Sequence, residues 1–281
     1  MHRKVAAFIL AWLLTSSAAS PNIWGQESQP TFASTSLCGD AYLLALAPHQ
    51  IKALSWQSRG PLSLANANEK TLPQAWDDAE RLIELAPDIV LFGPGEGYKT
   101  QAVLEAAGIQ TVRLEWAEDY DDYGHNIDLI LDSAGVEMKD TPIGMSSSLF
   151  TLHSEDTPRP KILYLSRSGG SAGADTYIDV LISHVGGDNI WTASGTKRQS
   201  WFTPDAEELA VIKPDFIITS FMSDGFESAQ AKTITGGAHR QLLDTTPTVD
   251  VPGAFLSCMS PQFTDAMILV DEAVVKWRAA Q

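Results

Sequence analysis

The segment Asp78 to Gly93, DAERLIELAPDIVLFG, predicts a helix that leads directly into a buried strand. Asp78 is a suitable N-cap, and Glu80 in the first turn complements the positive end of the helix dipole. Pro87 ends the helix because it has no backbone N–H to donate to the helical ladder. The apolar run from Ile89 to Phe92 is typical of a parallel strand that is covered on both faces. The segment therefore predicts one helix–strand unit of an α/β fold.

The same order of parts recurs at a constant offset in Asp205 to Ser220, DAEELAVIKPDFIITS. At this offset Glu207 aligns with Glu80, and Pro214-Asp215 aligns with Pro87-Asp88. Solenoid repeats span about 20–50 residues, and this period is far longer. The recurrence predicts two lobes of one architecture, and chance similarity between two helix–strand units is the alternative.

The composition is that of a globular and strongly acidic protein. A chain of 281 residues is long enough for two domains, and 44% hydrophobic residues can form a substantial core. The formal net charge of −16 repels phosphate backbones, which argues against nucleic-acid binding. The histidines are scattered without paired metal-ligand spacing, so the sequence gives little support to a direct metal-ion site.

The N-terminal residues 1–19 have the pattern of a signal peptide. Met1 to Lys4 is basic, and Val5 to Leu14 is apolar but too short to span a bilayer. Ser17 to Ala19 offers small residues for cleavage, and a buried N-terminal helix is the alternative. No cysteine lies at the cleavage region, so we expect an exported protein without a lipid anchor. Residues 20–34 are expected to form a flexible segment.

Two cysteines, Cys38 and Cys258, are present in a chain that is expected to reach an oxidising compartment. An even number of cysteines in an exported chain favours a disulfide, which would join the two ends of the chain. Two buried free thiols, or two thiols exposed to a ligand, are the other interpretations.

Strand and helix patterns alternate along the rest of the chain, which predicts parallel sheets with covered faces. The N-terminal α/β lobe is expected over residues 35–134, with its first strand ending at Thr35 to Cys38. Residues 135–160 are expected to join the lobes through a helix at Pro142 to His153. The C-terminal α/β lobe is expected over residues 161–281.

Two glycine-rich segments match functional turns in part. Gly93 to Gly97 follows a strand, as a dinucleotide-binding loop would, but the pattern fails because Tyr98 replaces its last glycine. Gly169 to Gly173 has the spacing of a nucleophile elbow, with Ser171 as the candidate nucleophile and a later histidine as the base. The second segment leaves a secreted serine hydrolase open as an alternative.

Aromatic, arginine and methionine residues recur in loops that are predicted to follow strands. In open α/β sheets, ligands bind at the carboxyl ends of the strands, where these loops lie. Arginine suits an anionic group, and tryptophan suits a flat apolar surface. The candidate ligand contacts of this kind are Trp56, Arg59, Tyr98, Arg167, Trp201 and Met222.

From about Thr35 to its end, the chain resembles the periplasmic substrate-binding proteins of ABC importers for iron-siderophores, haem and cobalamin. The resemblance is carried by SLCGDAYLLALA at 36–47, the two Pro-Asp units, GGDNIW at 186–191 and SWFTPDAEEL at 200–209. It implies an α/β fold of two Rossmann-like lobes with parallel central sheets, joined by one long helix. It also implies a ligand between the lobes and a cleft that is largely pre-formed.

The resemblance also implies roles for individual residues. Glu80 and Glu207 match the glutamate that each lobe presents to an arginine of the permease. Trp201 lies where a cobalamin-binding relative places an aromatic ligand contact. At Ala254 to Cys258, AFLSC, the chain lacks the charged residues of the cobalamin binder, which favours an iron-siderophore as cargo. Cys258 joins the candidate ligand contacts.

The resemblance therefore implies a monomeric periplasmic protein that captures a metal chelate and performs no chemistry. Its partners would be an ABC permease with its ATPase, and it would meet the membrane only through that permease. No cofactor is expected. The secreted serine hydrolase that uses Ser171 and a protein that binds a metal ion directly remain as alternatives.

Overall fold

The computed structural model describes residues 29–135, 157–193, 197–221 and 237–281. The predicted signal peptide at 1–19, the joining helix at 142–153 and Met222 lie outside these ranges. Among the helices within them, none combines the length and the apolar character that a bilayer crossing requires.

Five parallel strands form the sheet of the N-terminal lobe. They are β1 (Phe32–Ser34), β2 (Ile51–Ser55), β3 (Gln74–Ala75), β4 (Ile89–Phe92) and β5 (Gln110–Arg113), arranged in the order β3-β2-β1-β4-β5. The helices of this lobe are α1 (Leu37–Leu46), α2 (Ala79–Leu85), α3 (Gln101–Ala106) and α4 (Tyr120–Ala134). The strand order reverses between β1 and β4, and ligands of open α/β sheets bind at such a switch point.

The beginning of the N-terminal lobe differs from the prediction. Strand β1 is fully buried and lies inside the segment 20–34 that was expected to be flexible. The Ser36 side chain accepts a hydrogen bond from the backbone N–H of Gly39 and caps α1, so Thr35 to Cys38 is a turn and a helix start rather than a strand end. The predicted strand end was wrong, and the predicted flexibility was wrong for Phe32–Ser34, because β1 has only three residues, too few for a periodic pattern to reveal. Residues 20–28 of the predicted flexible segment lie outside the described ranges.

The C-terminal lobe has a second parallel sheet and a small antiparallel ribbon. Its strands are β6 (Lys161–Ser166), β7 (Ser171–Ala172), β8 (Asp188–Asn189), β9 (Trp201–Phe202), β10 (Phe216–Ser220) and β11 (Thr248–Val251). The parallel sheet has the order β11-β10-β6-β8, and β7 pairs with β9. The helices are α5 (Tyr177–His184), α6 (Ile190–Ala193), α7 (Ala206–Val211), α8 (Gly237–Thr245) and α9 (Phe263–Ala279).

The two copies of the recurring helix–strand unit start their helices in the same way. Asp78 caps α2 by accepting a hydrogen bond from Arg81 N at 2.8 Å. Asp205 caps α7 by accepting one from Glu208 N at 2.7 Å. The strands that follow, β4 and β10, each lie beside the first strand of their own lobe, β1 and β6.

The Pro-Asp pairs also make equivalent contacts. The Asp88 carboxylate accepts a hydrogen bond from Thr31 N at 2.8 Å, next to the start of β1. The Asp215 carboxylate accepts one from Lys161 N at 2.7 Å, at the start of β6. Each aspartate therefore anchors the neighbouring strand, and the two-lobed parallel α/β architecture is confirmed.

One continuous apolar cluster joins the two lobes. It contains Tyr42 and Tyr123 of the N-terminal lobe together with Met259, Phe263 and Met267 of the C-terminal lobe, all of them buried. Polar contacts reinforce it, since Tyr42 Oη donates to Met259 O at 2.9 Å. Because opening would expose apolar surface to water, the cluster holds the lobes in a fixed arrangement.

Candidate functional site

A cavity of about 300 Å³ lies between the two lobes. Its N-terminal wall follows strands β1, β4 and β5, and its C-terminal wall comes from α5, β9 and the segment after β11. The wall residues are Cys38, Tyr42, Pro94, Leu114 to Glu118 and Asn126 on one side, and Tyr177, Trp201 and Ser257 to Met259 on the other. The cavity thus occupies the ligand position that is expected of open α/β sheets, at the carboxyl ends of strands.

The loop after β5 presents a tryptophan to the cavity. Asn126, buried in α4, accepts a hydrogen bond from Glu115 N at 2.9 Å and donates one to Glu115 O at 3.0 Å. This double contact fixes the loop backbone, and Trp116, the next residue, is 72% exposed. A large aromatic ring held in water by a rigid loop is available for an apolar ligand surface.

A second tryptophan faces the cavity from the C-terminal lobe. Trp201 lies in β9, and its ring packs against Tyr177 and Tyr164 at centroid distances of 5.0 Å and 6.0 Å. The ring is 40% exposed. An edge-to-face contact with Tyr164 and a tilted contact with Tyr177 set its orientation and leave part of its surface to a ligand.

Glu118 connects the two walls. Its Oε1 accepts a hydrogen bond from Trp201 Nε1 at 3.1 Å, and its Oε2 accepts one from Tyr177 N at 3.1 Å. Tyr177 begins α5, so the carboxylate also satisfies a backbone N–H that has no partner within the helix. Glu118 of the N-terminal lobe therefore holds two residues of the C-terminal lobe in place and fixes the shape of the cavity.

A disulfide and two tyrosines complete the wall. Cys38 and Cys258 are joined across the lobes, with Cα atoms 6.0 Å apart. Tyr42 Oη donates to Met259 O at 2.9 Å, and Tyr177 Oη donates to Leu256 O at 2.7 Å. Burial raises the pKa of both phenols above the ordinary value, so both hydroxyls stay protonated and committed to carbonyl oxygens.

A buried carboxyl, that of Asp40, joins helix α1 to strand β2 in the N-terminal lobe. Asp40 in α1 accepts hydrogen bonds from Ser55 N at 2.8 Å and Ser55 Oγ at 2.6 Å, which joins α1 to the end of β2. Asp40 is 1% exposed. Burial raises the pKa of Asp40 to about 7, against the lowering effect of these hydrogen bonds.

The glycine-rich turn after β4 is filled by its own carboxylate. Glu96 Oε2 accepts hydrogen bonds from Gly93 N at 3.1 Å and from Thr35 Oγ1. A Cβ on Gly93 would lie 2.5 Å from Ser36 Cβ, so glycine lets the turns after β1 and β4 meet. A phosphate has no place against this turn, because the carboxylate of Glu96 occupies its donors.

The structure brings together two of the predicted ligand contacts, Trp201 and Cys258, which both line the cavity. Four others lie outside the cavity lining. Trp56 is exposed after β2, and Arg59 Nε donates to Lys70 O at 3.3 Å. Tyr98 lies under the guanidinium of Arg113, whose carbon is 4.1 Å from the ring centroid.

Arg167 is the fourth predicted ligand contact that lies outside the cavity lining. It follows β6, and its backbone N–H donates to Ser220 O at 2.9 Å. Trp56 and Arg59 lie one strand away from the switch point, because β2 is separated from β4 by β1. Tyr98 and Arg113 contact each other, and neither lines the cavity.

Sequence reasoning missed Glu115, Trp116 and Glu118. A usable signal was present, since these residues directly follow a predicted strand and belong to the same class of loop as the selected candidates. Which of several such loops meet depends on strand order, and strand order is not a local property of the sequence.

The hydrolase alternative conflicts with the position of Ser171. Its side chain is fully buried in β7, where Oγ donates to Tyr164 O at 2.6 Å and accepts from Trp191 Nε1 at 2.8 Å. The nearest histidine in sequence, His184, contacts Tyr120 Oη through Nδ1 at 2.8 Å. A hydroxyl engaged in this way cannot reach a substrate, so Ser171 is a structural residue.

The direct metal-ion alternative also lacks a site in the described part of the chain. There, no group of three or more histidine, cysteine, aspartate or glutamate side chains is arranged to hold an ion.

The two predicted docking glutamates are exposed. Glu80 and Glu207 occupy the first turns of α2 and α7, at equivalent places in the two lobes. The next residue differs between the copies, since Glu208 in the C-terminal lobe closes a capping box with Asp205.

Comparison with known proteins shows the fold. No family model matches the sequence, and no curated protein is significantly similar to it. The periplasmic haem-binding protein HutB of Vibrio cholerae matches with a TM-score of 0.68 and 20% identity, over 87% of this chain and 98% of that one. The periplasmic haem-binding protein RhuT from Roseiflexus sp. RS-1 matches with a TM-score of 0.65 and 18% identity, over 89% and 99%.

The periplasmic vitamin B12 binding protein BtuF of Vibrio cholerae also matches, with a TM-score of 0.56 and 16% identity, over 90% of this chain and 97% of that one. The chain therefore has the class III periplasmic-binding-protein fold, with two parallel α/β lobes.

Asp40 should make the stability of the protein depend on pH. Its pKa is 3.8 in an ordinary environment and about 7 in the fold, so between these values the folded chain holds a proton that the unfolded chain releases. The resulting stabilisation is complete below about pH 4 and is lost as the pH rises through about 7. Asp40→Asn keeps a hydrogen-bonding group beside Ser55 and does not titrate.

Urea denaturation of the wild type and of Asp40→Asn from pH 4 to pH 8 measures this effect. We expect the wild type to lose roughly 4 kcal/mol relative to the variant across that range. Asp128→Asn, an exposed aspartate of α4, is the matched control and should follow the wild type. Parallel curves for the wild type and Asp40→Asn would show that Asp40 titrates normally.

Proposed function

We propose that this protein is the substrate-binding component of an ABC importer, and that it captures a metal chelate in the inter-lobe cavity and delivers it to a permease. The observation that carries this proposal is the cavity, which takes a wall from each lobe at the carboxyl ends of the strands. The same fold occurs in periplasmic proteins that bind haem and vitamin B12. Those proteins are periplasmic, which supports a periplasmic location for this one.

Capture in this cavity requires no bond to be made or broken. Trp116 and Trp201 offer aromatic surfaces on opposite walls, and Glu118 holds the walls together. A ligand that enters between the rings exchanges water for apolar contact, which is favourable without movement of the lobes. Because the contacts between the lobes are already made, little of the binding energy is spent on closing the cleft.

The cavity favours a chelate whose metal is already fully coordinated, and an iron-siderophore is the cargo we propose. Haem iron in proteins is held by histidine, cysteine, methionine or tyrosine. Among the described wall residues no histidine occurs, the cysteines form a disulfide, and Met259 is buried. The hydroxyls of Tyr42 and Tyr177 are committed to carbonyl oxygens. An iron-siderophore brings its own donors and needs none from the wall.

Delivery would use the exposed glutamates of the two lobes. Glu80 and Glu207 stand on equivalent helices of a duplicated architecture, so they present matched charges to a partner with matched positive sites. Exposed charges at an interface set partner choice and association rate more than affinity, which suits a transient docking step.

A binding titration tests whether the cavity captures a metal chelate. The purified protein is titrated with ferric siderophores, haem and cobalamin, and binding is monitored by tryptophan fluorescence. We expect saturable quenching by a ferric siderophore, and roughly tenfold weaker binding in Trp116→Ala and in Trp201→Ala, since each removes one aromatic surface. Trp56→Ala is the matched control, because Trp56 is exposed on the N-terminal lobe outside the cavity, and it should bind as the wild type does. Absence of binding to every chelate would refute the proposed function.

Cellular uptake of a radiolabelled iron chelate tests the docking role. The double variant Glu80→Arg/Glu207→Arg should lose uptake while its affinity for the chelate is unchanged, because the reversed charges face the permease and not the cargo. The control Glu84→Arg/Glu272→Arg reverses one exposed glutamate on each lobe at other positions and should retain uptake. Normal transport by the first variant would exclude Glu80 and Glu207 as docking residues.

A further inference from the structure

The charged side chains in the cavity wall are all negative among the described residues. Glu115 and Glu118 lie on either side of Trp116 and Ala117, and the lysines, arginines and histidines of the described residues lie outside the wall. This arrangement bears on which chelates the cavity can accept, because a cleft lined by charges of one sign concentrates its field inside the cleft.

Contacts in the wall fix the carboxylate of Glu118 and the backbone of Glu115. Glu118 is held by Trp201 Nε1 and Tyr177 N, both at 3.1 Å. The backbone of Glu115 is clamped from both sides by the buried Asn126. The Glu115 side chain is 67% exposed, and its one ionic neighbour among the described residues is His125, whose Nε2 lies 4.0 Å away. Such an exposed pair at that distance is weak.

The arginine that precedes this loop, Arg113, does not line the cavity. Arg113 Nε donates to Glu96 O at 2.7 Å, and its Nη2 donates to Gln101 Oε1 at 2.8 Å. Its guanidinium also covers the ring of Tyr98. With these contacts made, Arg113 cannot neutralise the carboxylates or bind an anionic ligand in the cavity.

On these grounds, and resting on the proposed function, we infer that the cavity selects metal chelates that are neutral or positively charged. Glu115 and Glu118 are the residues that set this preference, and Trp116 and Trp201 bind the apolar body of the chelate. Three hydroxamates balance the charge of one ferric ion, so a ferric tris-hydroxamate is neutral and becomes cationic with a side-chain ammonium. A ferric tris-catecholate carries three negative charges and is repelled.

Three ferric complexes of one linear tris-hydroxamate test this inference, because they share the metal coordination and differ only at the chain end. A free ammonium end gives a net charge of +1, an acetylated end gives a neutral complex, and a succinylated end gives −1. Calorimetric titrations at pH 8, where unperturbed histidines are neutral, measure the three affinities. We expect the cation to bind roughly 10- to 100-fold more tightly than the anion, with the neutral complex between them.

The variants assign that preference to the carboxylates. Glu115→Gln should reduce the ratio of cation to anion affinity roughly three- to tenfold. Glu115→Lys leaves one positive and one negative charge in the described wall and should bring the ratio close to one. Both changes are at an exposed side chain, so folding is preserved. Glu84→Gln removes an equal charge from α2, outside the cavity wall, and should leave the ratio unchanged.

The outcomes separate this inference from the proposed function. Failure of every chelate to bind, with haem and cobalamin included, would overturn the proposed function. Binding of the anionic complex as tightly as the cationic one, or an unchanged ratio in Glu115→Gln and Glu115→Lys, would overturn the charge preference and leave capture of chelates intact.

Discussion

The fixed contact between the lobes is the constraint on which the rest of this structure depends. A buried apolar cluster runs from Tyr42 and Tyr123 to Phe263 and Met267, and a disulfide joins residues that are 220 positions apart in sequence. Closing so long a loop stabilises the fold by about 5 kcal/mol through the entropy of the unfolded chain. The cavity wall can be assembled from two lobes because this core sets their separation.

The polar groups around the cavity serve that same arrangement. Glu118 holds Trp201 and the start of α5, Asp40 joins α1 to β2, and Ser171 supports β6 and Trp191. An active site needs a nucleophile or base with free capacity, whereas these groups have their hydrogen bonds filled by the protein. These hydrogen bonds hold the shape of the cavity, and Trp116, Trp201 and Glu115 remain exposed in its wall.

Local sequence patterns predicted the repeated units well, because helix capping by Asp78 and Asp205 and the strands after Pro87 and Pro214 depend on neighbouring residues alone. They failed at β1, where three buried residues carry no periodicity. They selected Trp56 and Tyr98, which do not line the cavity, and did not select Trp116, which does. Loops that look alike in sequence differ in whether they reach the cavity, because their positions depend on the strand order β3-β2-β1-β4-β5. Strand order follows from long-range packing, which no local pattern reports.

The most direct test of this account is a crystal structure of the protein grown with the cationic ferric tris-hydroxamate, with the iron located by its anomalous scattering. We expect one iron site in the inter-lobe cavity, with the chelate between Trp116 and Trp201 and the Cys38–Cys258 disulfide intact. Iron bound outside the cavity, for example beside Tyr98 and Arg113, would contradict it.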